Sequence, residues 1–271
     1  MKSLNGKVIA LTGASSGIGR SLAINLAQQG AHLALADVNE AGLKETTSMI
    51  GTHTKITNHI VNVAERDQMH QWADDVIKEH GVVDAIINNA GVTSMHSIED
   101  ISYEDFEWVF NIDFYGVLYG VKAFLPYLKQ RPESHIVNIS SVNGFVPFPN
   151  NGPYNCAKHA VKALSQTLIQ ELHGTPVNVT SVHPGGIKTN IVRSGRFKKG
   201  AAGNTHEEMT KNFDNIAQTS PDQAAKIIIS GMLRNKHRQL VGKDAVVIEL
   251  LSRLMPNRFS SWLGKRTQQD I

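Results

Sequence analysis

A short apolar run, Val8-Ile-Ala-Leu-Thr12, stops at Gly13-Ala-Ser15-Ser16-Gly17-Ile18-Gly19, and a helical stretch follows from Arg20 to Gln29, closed by Gly30. Strand, glycine-rich turn and helix in this order restrict the fold more than any other stretch. The run is best read as a buried strand. Glycines let a backbone pass close to a pyrophosphate, and a helix amino end offers free N–H groups and the positive end of its dipole. The spacing Gly-x-x-x-Gly-x-Gly differs from the Gly-x-Gly-x-x-Gly dinucleotide fingerprint, so the turn predicts phosphate binding by context and not by motif.

The same alternation continues along the chain. His32 to Ala36 is a second strand with Asp37 at its end, ahead of a helix from Asn39 to Met49. A third strand is expected over His59 to Val63, containing Asn62, and a helix over Glu65 to His80 with Met69, Trp72, Ala73 and Val76 on one stripe. Val83 to Asn88 leads into Asn88-Asn89-Ala90-Gly91, which lines a cofactor or forms a simple turn. Tyr103 to Lys129 reads as one long helix in which Asn111 is polar among aromatic and apolar neighbours, so it either bonds the backbone or holds a water. His135 to Ser140 and Val177 to His183 are further strands, the second opening into Pro184-Gly185-Gly-Ile187-Lys-Thr189. Pro221 to Asn235 is the last clear helix and Gln239 to Val241 the last strand. Such alternation predicts an α/β fold: one Rossmann-type, doubly wound parallel sheet of about seven strands, with ligands at the strands' carboxyl ends.

Residues 1–243 then form a single dinucleotide-binding domain, and 244–271 an amphipathic extension with Leu250, Leu251, Leu254, Phe259, Trp262 and Leu263 among Arg and Lys. The extension could clamp the site, join an oligomer interface or rest on an anionic membrane. Residues from about 186 to 219, rich in Gly, Lys, Arg and Asn from 190 on, read as a substrate lid.

Composition excludes several classes. Charged residues are 19% and hydrophobic ones 41%, and 27 Lys and Arg against 24 Asp and Glu give +3, too little to predict nucleic-acid binding. No apolar run reaches the ~20 residues of a membrane span. The start lacks signal-peptide architecture. The single cysteine, Cys156, precludes an intrachain disulfide and fits a reducing compartment, so the expected location is cytoplasmic. Cys156 itself is a small residue packed under a helix or a reactive thiol. The twelve histidines form no cluster with metal-ligand spacing, and no metal is expected.

Chemistry is concentrated between Ser141 and Lys158. Tyr154 and Lys158 stand one helical turn apart on one face. An ammonium beside a phenol favours the phenolate and lowers its pKa from about 10. A phenol so tuned accepts or donates a proton near neutral pH. The strand before it delivers Ser141 where its hydroxyl could bond the same reacting oxygen. Asp37 can bond the adenosine ribose hydroxyls and would repel a 2′-phosphate, which predicts NAD over NADP, although Arg20 could reach a phosphate.

Taken in order, Thr12 to Gly19, Asp37, Asn88 to Gly91, Asn111, Ser141, Tyr154, Lys158 and Pro184-Gly185 closely resemble the short-chain dehydrogenase/reductase family, over residues 4 to about 242. The resemblance implies Tyr154 as general acid/base, Lys158 as the cation that tunes it and holds the nicotinamide ribose, Ser141 as the partner of the substrate oxygen, and Asn111 as holder of a water. It places Gly13, Ser15, Ser16, Gly17, Ile18, Gly19, Asp37, Asn62, Val63, Asn89, Ala90, Gly91, Pro184, Gly185, Ile187 and Thr189 against the cofactor. Asn62 departs from the acid usual in the family before Val63. Substrate walls are expected from Ser94 to His96, from Val142 to Pro149 with Asn143, Phe145, Val146, Pro147 and Phe148, and from the lid at Asn190. Phe145 and its neighbours point to a hydrophobic secondary alcohol, hydroxysteroid-like or alicyclic. The rival substrate is a β-ketoacyl thioester whose carrier meets Arg193, Arg196, Lys198 and Lys199. A non-catalytic NAD-binding scaffold is a third reading, disfavoured by the presence of both Tyr154 and Lys158 along with Ser141 and Asn111. The family also implies a homodimer or homotetramer through helices 103–130 and 154–172.

Overall fold

The computed structural model describes residues 1–197, 205–256 and 258–269. The first half is built from β1 (Val8–Thr12), α1 (Gly17–Gln28), β2 (His32–Asp37), α2 (Glu40–Ile50), β3 (Ile56–Ile60), α3 (Arg66–His80) and β4 (Ala85–Asn88). A short β5 (Ser94–Met95) precedes α4 (Tyr103–Phe110), a π-helical turn (Asn111–Tyr115) and α5 (Gly116–Leu128). Then come β6 (Ser134–Ile139), α6 (Gly152–Glu171), β7 (Val177–Pro184), a short β8 (Arg196–Phe197), α7 (His206–Ile216), α8 (Pro221–Leu233), β9 (Arg238–Val241), α9 (Lys243–Leu254) and α10 (Phe259–Gln269).

Seven strands form one sheet in the order β3-β2-β1-β4-β6-β7-β9, every pair parallel. This is the expected doubly wound sheet. The order reverses between β1 and β4, and ligands of such sheets bind at that switch. Central strands carry apolar residues on both faces because helices cover both. All five residues of β1 are accordingly buried, with no alternation of inward and outward side chains. One core, with Leu11, Leu22, Leu33 and Ile228, lies under α1 and α8; the other, with Trp72, Ile86, Phe124 and Ile136, lies under α3 and α5.

β3 lies three residues earlier than expected. It is an edge strand of half-polar sequence, ITNHI, whereas Val61 and Val63 are buried in the loop beyond it. The stretch expected to be a lid contains α7, started by a capping box in which Thr205 and Glu208 satisfy each other's backbone amides. Lys198 and Lys199 lie outside the described residues. The extension forms α9 and α10; Val246, Val247, Leu250 and Leu254 of α9 are exposed, while Ala245 and Glu249 are buried. No helix among the described residues is long and apolar enough to cross a membrane.

One buried histidine makes the sheet acid-sensitive. His135 on β6 has no exposed surface, and its Nε2 lies 2.8 Å from the Thr180 hydroxyl on β7. Burial pushes its pKa down to about 3, helped by the positive chain terminus and His237. The unfolded chain takes that proton near 6.5. The folded chain resists it, so stability is full above about 6.5 and falls as pH drops toward the folded value, by up to about 1.4 kcal/mol per pH unit. Urea unfolding at pH 7 and pH 5 should show this loss, with a shallower slope in His135→Gln; equal slopes in the two proteins would contradict it.

Candidate active site

The carboxyl ends of β1, β2, β4, β6 and β7 open onto one cavity of about 410 Å³. Its floor begins at the glycine turn. α1 starts at Gly17 without a side-chain cap from Ser16, so its first amides are free at the cavity wall. Gly13 has φ +67, and a Cβ there would stand 2.8 Å from the Ala90 Cα. At Gly19 a Cβ would overlap the Gly13 carbonyl oxygen. These two glycines are required so that α1 and the loop after β4 can close on the turn. Asn89 braces that closure by donating to the carbonyls of Thr12 (3.0 Å) and Gly13 (3.2 Å), while the Thr12 hydroxyl accepts from the amides of Asn89 and Ala90.

Asp37 ends β2 with both carboxylate oxygens engaged. Its Oδ2 accepts the Ser15 amide at 3.0 Å and its Oδ1 the Asn39 amide at 2.9 Å. The α2 cap is Asn39, whose side chain accepts the Gly42 amide. Arg20 is tied to the Ser15 carbonyl, Glu45 and Thr46. Asn62 lines the same wall, with its Oδ1 accepting the Ala64 amide at 3.1 Å. Ser15, Ser16, Ile18, Val63, Gly91, Pro184, Gly185, Ile187 and Thr189 line the cavity as well.

α6 brings Tyr154 and Lys158 to the other end of the cavity. Its first turn contains Pro153, preset for a helix start. Lys158 is buried; its Nζ donates to the Ile139 carbonyl at 3.2 Å and lies 5.3 Å from the centre of the Tyr154 ring. Ser141 follows β6, and its Oγ accepts the Asn143 amide at 3.1 Å. Asn155, a residue absent from the sequence-based set, holds this loop by bonding Asn143 and both backbone groups of Phe148.

Several expected residues fall elsewhere: of the substrate walls expected from Ser94 to His96 and from Val142 to Pro149, only Met95 and Asn143 line the cavity, and Asn111 and Phe145 do not. Asn111 is exposed at the end of α4 and does not line the cavity. Residues two apart on a helix point about 200° apart, and it is Asp113, within the π-helical turn, that faces inward. Its Oδ2 lies 2.9 Å from Lys158 Nζ and its Oδ1 accepts the Val92 amide at 2.8 Å. π turns recur at functional sites, yet an amphipathic pattern read at α-helical spacing has no signal for one. Phe145 turns away as well. The single turn Val142–Gly144 carries it onto His183, ring centres 4.2 Å apart, and it lines a separate cavity with Lys162 and Arg253. Apolar wall comes instead from Met95, Ile191, Val192 and Phe213, and Asn143 and Asn190 add polar lining. Cys156 is exposed, so neither packing beneath the helix nor a place in the cavity applies to it.

The phenol is not acidified in this setting. Removal from water raises the Tyr154 pKa most, Lys158 lowers it, Asp113 raises it again, and a hydrogen bond from Ser141 lowers it. Burial likewise raises Asp113, against the pull of Lys158. Lys158 stays above its usual value because Asp113 and Tyr154 outweigh its burial.

A parallel sheet with a glycine-turn cavity and a Ser, Tyr, Lys cluster at one end agrees with the family resemblance, and the chain belongs to the short-chain dehydrogenase family of oxidoreductases, whose model it matches over residues 7–199. It is 39% identical over 263 residues to a putative oxidoreductase, SadH, of Mycobacterium tuberculosis, covering 96% of this chain and 94% of that one. A 3-oxoacyl-[acyl-carrier-protein] reductase of Thermotoga maritima is 33% identical over 190 residues, 69% of this chain and 76% of that one. Among solved structures, a short-chain dehydrogenase/reductase of Burkholderia phymatum in complex with NAD superposes with a TM-score of 0.85 at 28% identity, over 94% and 95% of the two chains.

Proposed function

We propose that this protein moves a hydride between NAD(H) and a hydrophobic secondary alcohol or its ketone, with Tyr154 as general acid/base. The observation that carries the proposal is the meeting of Ser141, Tyr154 and Lys158 at one end of a cavity whose other end is the free amino end of α1. That cavity fits a dinucleotide: uncapped helix amides suit a pyrophosphate, and the Asp37 carboxylate suits ribose hydroxyls. The bound nicotinamide supplies the hydride acceptor or donor. Lys158 orients the ribose, Ser141 bonds the substrate oxygen, and Tyr154 takes or gives the proton at that oxygen. Asp113 stands beside Lys158, where the family resemblance implies Asn111.

Asp37 supports NAD over NADP because its charge faces the site of a 2′-phosphate, and Arg20, already bound to Glu45, leaves that charge uncompensated. Asp37→Ser should raise the ratio of kcat/KM for NADP to that for NAD by about tenfold or more. An unchanged ratio would remove the Asp37 argument.

Met95, Ile191, Val192 and Phe213 support a hydroxysteroid-like or alicyclic substrate. The β-ketoacyl thioester reading loses two of its cations: Arg193 pairs with Asp214, and Arg196 bonds Asp105 at 2.8 Å and lies 4.0 Å from the centre of the Trp108 ring. The deciding experiment is a panel of neutral secondary alcohols, ketones and β-ketoacyl thioesters with both cofactors; thioester turnover that falls with salt would favour the rival. A homodimer or homotetramer is supported by the half-exposed aromatic ladder of Phe106, Phe110, Phe114, Tyr115 and Tyr119 along α4, the π-helical turn and α5. The cytoplasm is the proposed setting.

A further inference from the structure

We propose that Asp113 is a positioning residue whose buried pair with Lys158 keeps Tyr154 in its neutral phenol form at neutral pH, so that the resting protein is set to reduce ketones and oxidises alcohols well only in alkaline solution. This rests on the role assigned to Tyr154 above.

The geometry leaves Lys158 little charge to spare. Asp113 has no exposed surface, its Oδ2 lies 2.9 Å from Nζ, and its Oδ1 is fixed by the Val92 amide at 2.8 Å. Gly91 closes over the pair: a Cβ there would stand 3.2 Å from Oδ2 and 3.3 Å from Nζ. Among the described residues, no charge other than that of Tyr154 itself is found to act on the pair. The end of β6 offers the Ile139 carbonyl and the Ser141 hydroxyl, the loop after β4 only the Val92 amide, and α6 only Tyr154 and Lys158 themselves.

A lone buried ammonium would stabilise a phenolate beside it; an ammonium already matched by a carboxylate does so far less. What remains is the loss of water around the hydroxyl, which favours the phenol. An amide at 113 would keep the Val92 bond and leave the ammonium unmatched. The residue type at 113 therefore sets which proton state Tyr154 rests in. In ketone reduction, Tyr154 gives its proton to the carbonyl oxygen as the hydride reaches the carbonyl carbon, and the phenolate then recovers a proton from water. In the reverse direction Tyr154 must first lose its proton to water, so oxidation rises with pH.

The test is a tyrosinate absorbance titration of the cofactor-free protein, taken as the difference from the same protein carrying Tyr154→Phe. The wild-type midpoint should lie above the ordinary value of about 10. Asp113→Asn should bring it down by about one unit or more, and the pH midpoint for alcohol oxidation should move down with it. Asp67→Asn, a change at an exposed surface carboxylate, should move neither. A midpoint unmoved by Asp113→Asn overturns the proposal, and so does a wild-type midpoint below about 9, which needs no variant at 113 to fold. The titration requires no substrate. A failed substrate panel would therefore count against the proposed function, while an unmoved midpoint alongside normal turnover would count against Asp113 alone.

Discussion

Tyr154→Phe should lower kcat for ketone reduction by about 10²–10⁴-fold, the usual worth of a positioned proton donor. NAD affinity should stay within a few-fold, because Lys158 and the glycine turn are untouched and the substitution removes one oxygen. The fold should survive too, since the Tyr154 ring keeps its place over Lys158 and only the hydroxyl disappears. Steady-state kinetics with a ketone from the panel, paired with NAD binding by calorimetry, separate these effects. A tenfold or smaller loss would mean that another group or water delivers the proton. A parallel loss of NAD affinity would mean that the substitution disturbs the cavity as a whole.

Trp72→Ala tests the scaffold in the same way. Trp72 on α3 is almost fully buried and meets Phe124 of α5 edge-on, ring centres 4.9 Å apart. Truncation of such a side chain costs about 3–5 kcal/mol, through lost burial and the cavity left behind. For a chain of this size that is about 10 °C in Tm. The second core, under α1 and α8, is separate, and so is the glycine turn. Catalysis measured well below the new Tm should therefore be nearly normal. A Tm within 2–3 °C of wild type would show that α3 and α5 contribute less to the sheet's support than their packing implies.

The contrast between these two residues also explains what the sequence makes legible. Periodicity alone places Trp72 in the core, with Met69, Ala73 and Val76, because burial on one helical stripe repeats every turn. The sheet and its order of elements follow from the same kind of repetition. Glycines at 13 and 19 stand out because nothing larger fits, Gly17 because its φ is +52, and the Tyr154–Lys158 pair because i and i+4 share a face.

Asn111 and Phe145 fail where repetition stops. A π turn adds a residue to the helical cycle, and position 113 then meets Lys158 although 111 carries the more conspicuous amide. Asp113 reads from the sequence as one more acid in a helix; only its burial beside Lys158 reveals it. Phe145 follows Ser141 by four residues, but a single tight turn between them sends the ring to His183. The signal for α7 is present in Thr205-His-Glu-Glu208, a capping box, masked by the polar composition around it. β3 departs from its expected place because an exposed edge strand needs no apolar run.

The central claim is direct hydride exchange between a secondary alcohol and the nicotinamide at the Tyr154 end of the cavity. It is tested most directly with an alcohol deuterated at its carbinol carbon, NAD and purified protein, by measuring deuterium in the reduced nicotinamide. The account predicts about one deuterium per reduced cofactor, slower turnover than with the protium alcohol, and loss of the reaction in Tyr154→Phe. Reduced cofactor free of deuterium would contradict it.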